Sequence, residues 1–368
     1  MKAKKRIVVC LLFVLLTCGI TPMLQKAEAA EGAQQFAEFG DFKLRNGEVI
    51  HEFRLGYRTL GTLNAEKSNA ILWPTWLGGK SEDLLRYGGP GNVVETGNYF
   101  VIFVDAIGDG VSSSPSNSAK QPLMKFPKFT IRDMVEAEYR LVTEVFHIAH
   151  LHAVMGISMG GMQAFEWVVA HPEFVDLGIP IAGSPQSTSY DKLFWTAQID
   201  AIELDPAWNH GHPTGPLNRG LPLSEEIGSM NSTSPDYRVQ HTSPGEFDTF
   251  LTEIREGAKG DGGTASNQIR QREAIMSLDV AGEFAVTLAE AAKRVHAKLL
   301  VVVSPEDHTV NPTPAMEFAA AIGAPVVKLE SPCGHQSPSC VSLGPMVARF
   351  LADPSTGRSE TLRDPHKQ

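Results

Sequence analysis

With 368 residues, 42% of them hydrophobic and 20% charged, the chain has ordinary globular composition and length for one large or two modest domains. That excludes a disordered polymer, a collagen and a disulfide-dense miniprotein. Its 42 acidic against 32 basic residues leave a net charge of -10, so no whole-chain electrostatic footprint for a nucleic-acid backbone exists and no nucleic-acid partner is expected.

Lys2, Lys4, Lys5 and Arg6 precede an apolar run from Ile7 to Ile20, and Ala27-Glu28-Ala29 follows in A-x-A spacing. This order predicts a secretory signal peptide over residues 1–29, hence a periplasmic or secreted protein with no membrane association once the segment is removed. Five cations and one anion would leave with it, moving the net charge from -10 to -14, an acidity that opposes binding to anionic lipid. The competing reading is an uncleaved anchor, since Ile7 to Leu24 approaches the length of a spanning helix. Thr17, Gly19, Thr21 and Pro22 interrupt that run and argue against it, and Thr17 before Cys18 disfavours a lipoprotein. Of the four cysteines, Cys10 and Cys18 lie in this segment. A mature chain would keep Cys333 and Cys340, which can form one disulfide but no zinc framework, and no metal or cofactor is expected.

After a polar start, Phe42 to Tyr57 alternates around Asn46-Gly47, a strong hairpin signal because both turn residues tolerate positive φ. Ala70–Trp73 and Tyr99–Val104 are short apolar runs bounded by turn residues, as in strands buried on both faces. Thr130 to Ile148 switches to helical spacing, with Thr130 and Asp133 offering a capping box. A strand at His152–Met155 then runs into Gly156-Ile157-Ser158-Met159-Gly160 and a helix from Gly161 to Ala170. Further strands are expected at Leu177–Ile181, Lys298–Val303 and Val326–Leu329, with helices at Pro314–Ile322 and Ser342–Leu351. Parallel strands alternating with helices predict an open α/β sheet, with core segments at 30–184 and 285–353. Residues 185–284 break the rhythm with Gly, Pro, Ser and Asn. They read as a helical lid insertion over the sheet's carboxyl edge, with helix fragments near Tyr190–Ile202, Phe247–Arg255 and Ile269–Ser277. Residues 354–368 read as a frayed polar tail.

In G-x-S-x-G at a strand-to-helix junction, the glycines permit a sharp turn that exposes Ser158 to a general base. Asp307 follows the strand ending at Val303 and His335 follows the next strand, giving Ser, Asp and His in chain order. Ser158 is the expected nucleophile, His335 the base that takes its proton, and Asp307 the acid that fixes the imidazole tautomer. Glu306 is the rival acid, because a loop register cannot be read to one residue. His308, beside the proposed acid, reads as a loop histidine, and the pair His210 and His212 lacks a third ligand nearby. A developing oxyanion needs two preorganised donors. Met159 N–H supplies one by position and Leu77 N–H is chosen as the second, with Trp76 as runner-up. The loop Asp105–Asn117 either lines the pocket mouth or is plain turn chemistry.

These residues make the chain resemble the α/β-hydrolase superfamily and, within it, the homoserine O-acetyltransferase family. The resemblance is carried by the serine motif extended from Gly156 through Trp167, by Phe126 to Val135, by Tyr57 to Asn64, by Asp205-Pro206-Ala207-Trp208 in the lid, and by Gly334-His335. It covers roughly residues 50–350 and implies the α/β-hydrolase fold, a mostly parallel sheet flanked by helices, with Ser158, His335 and Asp307 as triad and Leu77 and Met159 as oxyanion donors. The chain departs where that family has a His-Ala-Leu-Thr-Gly loop, here Thr75-Trp76-Leu77-Gly78-Gly79, and at Asp105 to Val111. No lid arginine for an amino-acid carboxylate is identified. Because acetyl-CoA is a cytoplasmic metabolite, an exported relative reads better as a serine hydrolase acting on a small-molecule carboxylic ester, or a lactone or amide. An acyl-CoA-dependent O-acyltransferase is the alternative, and a silent binding module is a third reading that lacks its usual mark, a broken triad. A homodimer stays open. Cys333 and Cys340 bracket His335, and either a bridge or two buried thiols fits their spacing.

Overall fold

A computed structural model describes residues 30–364, and the signal peptide expected at 1–29 lies outside the described residues. The hairpin around Asn46-Gly47 forms from β1 (Gln35–Lys43) and β2 (Val49–Leu60). Then follow β3 (Ala70–Pro74), the one-turn helix α1 (Ser81–Leu84), β4 (Phe100–Val104), α2 (Ile131–Arg140), β5 (Leu151–Ile157), α3 (Met159–Ala170) and β6 (Val175–Ile181). Five helices intervene before the sheet resumes: α4 (Ser189–Glu203), α5 (Gly220–Ser232), α6 (Pro235–His241), α7 (Phe247–Gly257) and α8 (Gly262–Met276). The chain closes with α9 (Leu288–Ala292), β7 (Lys298–Leu299), β8 (Val301–Val303), α10 (Thr313–Ile322), β9 (Val326–Glu330), α11 (Ser337–Cys340), α12 (Gly344–Ala352) and β10 (Glu360–Arg363).

The strands make one sheet in the order β1-β2-β4-β3-β5-β6-β8-β9-β10, with β7 beside β6. Among the described residues, only the β1/β2 and β2/β4 strand pairs are antiparallel. A two-residue side-chain period divides the apolar runs between two cores. On β3 and β4, Ala70, Leu72, Phe100, Ile102 and Val104 face one helical layer, while Ile71, Trp73, Val101 and Phe103 face the other. Each such fully buried large side chain contributes about 1.5–3 kcal/mol against the entropy of ordering the chain. Central strands therefore carry no polar alternation, and their carboxyl ends are free to present loops on one edge.

Helix α2 begins at the expected capping box: Thr130 Oγ1 accepts from Asp133 N–H at 3.1 Å and Thr130 N–H donates to Asp133 Oδ2 at 2.9 Å. The other oxygen, Asp133 Oδ1, accepts from Arg45 N–H at 2.8 Å and so ties the hairpin turn to the helix. The α-helix stops at Arg140 and continues as a π-turn over Leu141–Val145, short of the Ile148 expected from periodicity. The polar tail differs more. Glu360–Arg363 adds a parallel edge strand to β9, with Leu362 packed on the core and Arg363 paired to Glu330 at 3.0 Å. An edge strand needs only half its side chains buried, which is why its composition reads as a tail. Among the described residues no helix is long and apolar enough to cross a membrane.

Helix α3 is buried along nearly its whole length, and its Trp167 indole N–H donates to Glu138 Oε2 on α2 at 2.6 Å. Burial raises the Glu138 carboxyl to about pH 8, only partly offset by that indole, and Oε1 has no hydrogen-bond partner among the described residues. A carboxyl held protonated in the fold binds more protons than the unfolded chain between its ordinary value and about 8, so stability falls as pH rises through that window. Glu138→Gln keeps an acceptor for Trp167 and removes the titration. Urea midpoints should show the variant gaining on the wild type from pH 5 to pH 8, by at least about 1 kcal/mol. A pH-independent difference would mean that Glu138 does not titrate there.

Candidate active site

Ser158 sits between β5 and α3 at φ 57°, ψ -122°, a left-handed conformation that a serine adopts only when its surroundings over-determine it. Ser158 N–H donates to Ile181 O on β6 at 2.9 Å, and its carbonyl accepts from Met162 N–H at 2.9 Å. Two glycines make the turn sterically feasible. A Cβ on Gly156 would lie 2.3 Å from the Gly160 backbone, and one on Gly160 would lie 2.5 Å from Pro74 O on β3. Both positions must therefore lack a side chain, which is the physical content of the G-x-S-x-G spacing.

The turn aims Ser158 Oγ at His335 Nε2, 2.8 Å away, and His335 Nδ1 lies 2.7 Å from Asp307 Oδ2. Asp307 is buried behind β8, and its second oxygen accepts from Thr309 N–H and Val310 N–H, both at 2.8 Å. A carboxylate can only accept. Nδ1 therefore carries the imidazole proton and Nε2 is left to accept from the serine hydroxyl. Glu306, the alternative acid, is exposed. So is His308, whose carbonyl accepts from Asn231 Nδ2 at 2.9 Å. His210 lines a different cavity with Met124 and Trp208.

A cavity of about 310 Å³ opens above Ser158 and His335, walled by Trp76, Leu77, Phe194 and Trp195. Met159 occupies the first position of α3, where no intrahelical acceptor exists for its N–H. The Asp105–Asn117 loop does not line this cavity. Its serines brace turns instead: Ser112 Oγ donates to Asp105 O at 2.6 Å and accepts from Gly56 N–H at 2.8 Å, and Ser113 Oγ accepts from Arg54 N–H at 2.9 Å.

Two residues on α8 escape a reading of the sequence. Arg272 lines the cavity yet is 4% exposed, and it bonds through Nε to Gln198 Oε1 at 2.9 Å and through a terminal nitrogen to Gln268 Oε1 at 3.1 Å. Burial pulls its guanidinium down to about pH 10, opposed by the charge of Glu225, which also lines the cavity. Gln271 bonds to Gly78 and Ile107 in two loops of the core. Nothing in the run Gln268-Ile269-Arg270-Gln271-Arg272 distinguishes these side chains from a solvated face.

Cys333 and Cys340 are joined by a disulfide. It closes the segment that carries His335, from the turn Gly334–Gln336 through α11. Ser337 Oγ braces the same segment by donating to Gly334 O at 2.7 Å.

A serine-histidine-aspartate line whose aspartate is buried and whose serine borders a cavity, at the carboxyl edge of a mostly parallel sheet, defines an α/β-hydrolase. Comparison with known proteins narrows the class. The chain is 31% identical over 342 residues to a homoserine O-acetyltransferase of Leptospira biflexa, covering 82% of this chain and 88% of that protein. It therefore belongs to the family of α/β-hydrolases that includes the homoserine O-acetyltransferases. It is also 40% identical over 184 residues to a probable esterase of Corynebacterium glutamicum and 36% identical over 214 residues to an ethyl acetate hydrolase of Pseudomonas veronii. Those alignments cover 49% and 57% of this chain and span only 53% and 61% of the two relatives. Among solved structures, the acetyl esterase MekB superposes with a TM-score of 0.81 at 28% identity, over 88% of this chain and 98% of its own. No protein-family model matches the chain.

Two outcomes follow from this geometry. Asp307→Asn should lower turnover by about three to four orders of magnitude while leaving the fold intact, because the amide holds the His335 imidazole in the wrong tautomer. Glu306→Gln should stay within a few-fold of wild type, and steady-state assays on both variants decide the assignment. Reducing the Cys333–Cys340 bridge should lower turnover more than the melting temperature, because a loop this short removes little chain entropy whereas a loosened base misplaces the proton. Parallel activity and thermal-melt measurements with reductant check the ratio, and equal loss of both would contradict it.

Proposed function

We propose that the protein is an exported serine hydrolase that cleaves a small carboxylic ester through an acyl-enzyme on Ser158. The observation that carries this reading is the unbroken line from Asp307 through His335 to Ser158 Oγ at the floor of an accessible cavity. Ser158 Oγ attacks the carbonyl carbon as its proton passes to His335 Nε2, and the carbonyl electron pair moves onto oxygen. Met159 N–H and Leu77 N–H receive that oxyanion. Collapse breaks the ester C–O bond, with His335 returning the proton to the departing alcohol. Water then repeats the sequence on the acyl-enzyme, releasing the carboxylic acid and Ser158. The esterase and ethyl acetate hydrolase activities of the similar proteins support ester cleavage. The signal-like N-terminus and the Cys333–Cys340 disulfide support an oxidising, extracytoplasmic compartment.

Acyl transfer from a thioester to an alcohol is the second reading. It has the family relationship behind it, and also Arg272, a buried cation on the cavity wall that has no carboxylate within ion-pairing distance among the described residues and could hold an anionic acceptor. Both readings share the acyl-enzyme and differ in what deacylates it.

The test is turnover of 4-nitrophenyl acetate by the mature protein, with and without CoA and homoserine. Hydrolysis predicts steady release without any acceptor, and Ser158→Ala should lose several orders of magnitude in rate together with covalent labelling by a fluorophosphonate. Turnover that requires the acceptor would overturn hydrolysis in favour of transfer. Retained labelling in Ser158→Ala would move the nucleophile elsewhere. N-terminal sequencing of protein recovered from an exporting host should begin near Ala30, and a start at Met1 in the membrane fraction would support the anchor.

A further inference from the structure

The turn that carries Leu77 is held from outside by one side chain. Trp76 O accepts from Gly79 N–H at 3.0 Å, and Gly78 stands at φ +69°, the backbone expected at the third residue of a type II turn. Before this turn the chain is anchored to the core: Thr75 N–H donates to Val104 O at 3.0 Å, and Thr75 O accepts from Gln163 Nε2 at 3.1 Å. After it, Ser81 N–H donates to Asp105 Oδ1 at 2.6 Å. Among the described residues, the only hydrogen bond from the backbone of Trp76–Gly79 to another element is Gly78 N–H to Gln271 Oε1, at 2.9 Å. The other end of the same amide donates to Ile107 O at 3.1 Å. Gln271 is 1% exposed and does not line the cavity, so it acts on whatever it positions rather than on a ligand.

We propose that Gln271 is a positioning residue for the oxyanion donors: a helix of the inserted segment clamps the Leu77-Gly78 peptide against the Ile107 loop and keeps Leu77 N–H in register with Met159 N–H. This rests on the acyl-enzyme reading of Ser158 and deepens it. Helix α8 is itself fixed well enough to serve as the reference. Arg270, one residue earlier, donates from Nε to Phe126 O at 2.9 Å and from a terminal nitrogen to Met124 O at 2.8 Å. Arg272, one residue later, ties α8 to Gln198 on α4. A donor that wanders stabilises a developing charge less than one held in place, because the reorganisation then falls within the barrier. The loss should therefore appear in the chemical step and not in substrate binding. A turn left without its clamp can exchange its central peptide between type I and type II orientations, and Gly78 offers no steric resistance to either.

Gln271→Met removes both hydrogen bonds at nearly constant volume, whereas Gln271→Glu retains an acceptor for Gly78 N–H. With 4-nitrophenyl acetate, Gln271→Met should lower kcat by about 10- to 100-fold, less than outright loss of an oxyanion donor, with KM within about threefold. Its affinity for a trifluoromethyl ketone, which forms a tetrahedral adduct on the serine, should fall in parallel with kcat. Gln271→Glu should recover part of both. Rates are normalised to serine sites titrated with a fluorophosphonate, so a misfolded fraction does not count as lost catalysis. Unchanged kcat in Gln271→Met would overturn the proposal, as would a loss carried wholly by KM or a Glu variant no better than Met. If Gln271→Met fails to fold, Gln271→Asn, whose shorter amide cannot span Gly78 and Ile107, takes its place under the same criteria. An inactive wild type would instead count against the esterase reading. The rate of fluorophosphonate acylation at Ser158, which needs no turnover, would then still rank the three proteins.

Discussion

The arrangement of the site depends on a serine held at φ 57° at the end of a central strand. A non-glycine residue in that region costs on the order of 1–3 kcal/mol, and the cost is sustained by burial on either side of it. Strand β5 lies between β3 and β6, and Met162, Phe165 and Trp167 bury α3 against the sheet. Neither element can relax the turn without exposing that surface. The glycines at 156 and 160 make the geometry sterically accessible, and packing makes it obligatory. Once Ser158 is placed, Met159 N–H becomes a free helix-end donor beside it.

Electrostatic order is imposed from the other end of the line. Asp307 is fixed by two backbone donors before it meets the imidazole, so the direction of the His335 proton is set by the β8 loop rather than by substrate. The loop bearing His335 is in turn closed by a disulfide and braced by the inserted helices, where Ser234 N–H donates to Pro332 O at 3.0 Å. The inserted segment thus reaches both the base, through Ser234, and the turn at Leu77, through Gln271.

Legibility followed burial. Ala70–Pro74, Phe100–Val104 and Val301–Val303 were readable because strands buried on both faces leave uninterrupted apolar runs. The juxtaposition of Ser158, His335 and Asp307 was readable because strand, turn and chain order constrain it together. Helices α5 and α6 were not, since Gly220, Pro222, Gly228, Ser232 and Pro235 mask a helical pattern that packing imposes. Glu360–Arg363 was hidden for the opposite reason, as a strand whose edge position tolerates charge. Arg272 and Gln271 are polar residues in a polar run, and only the tertiary structure reveals that they face inward. The serines of the Asp105–Asn117 loop carried a turn signal that composition could not separate from a binding loop.

The most direct measurement is to quench the protein with acid during turnover of an acetyl ester and map its peptides by mass spectrometry. An added acetyl group is expected on the peptide containing Ser158, absent when the protein is first blocked with a fluorophosphonate. An unmodified Ser158 peptide alongside an acetyl group on any other residue that forms and decays at the turnover rate would contradict it.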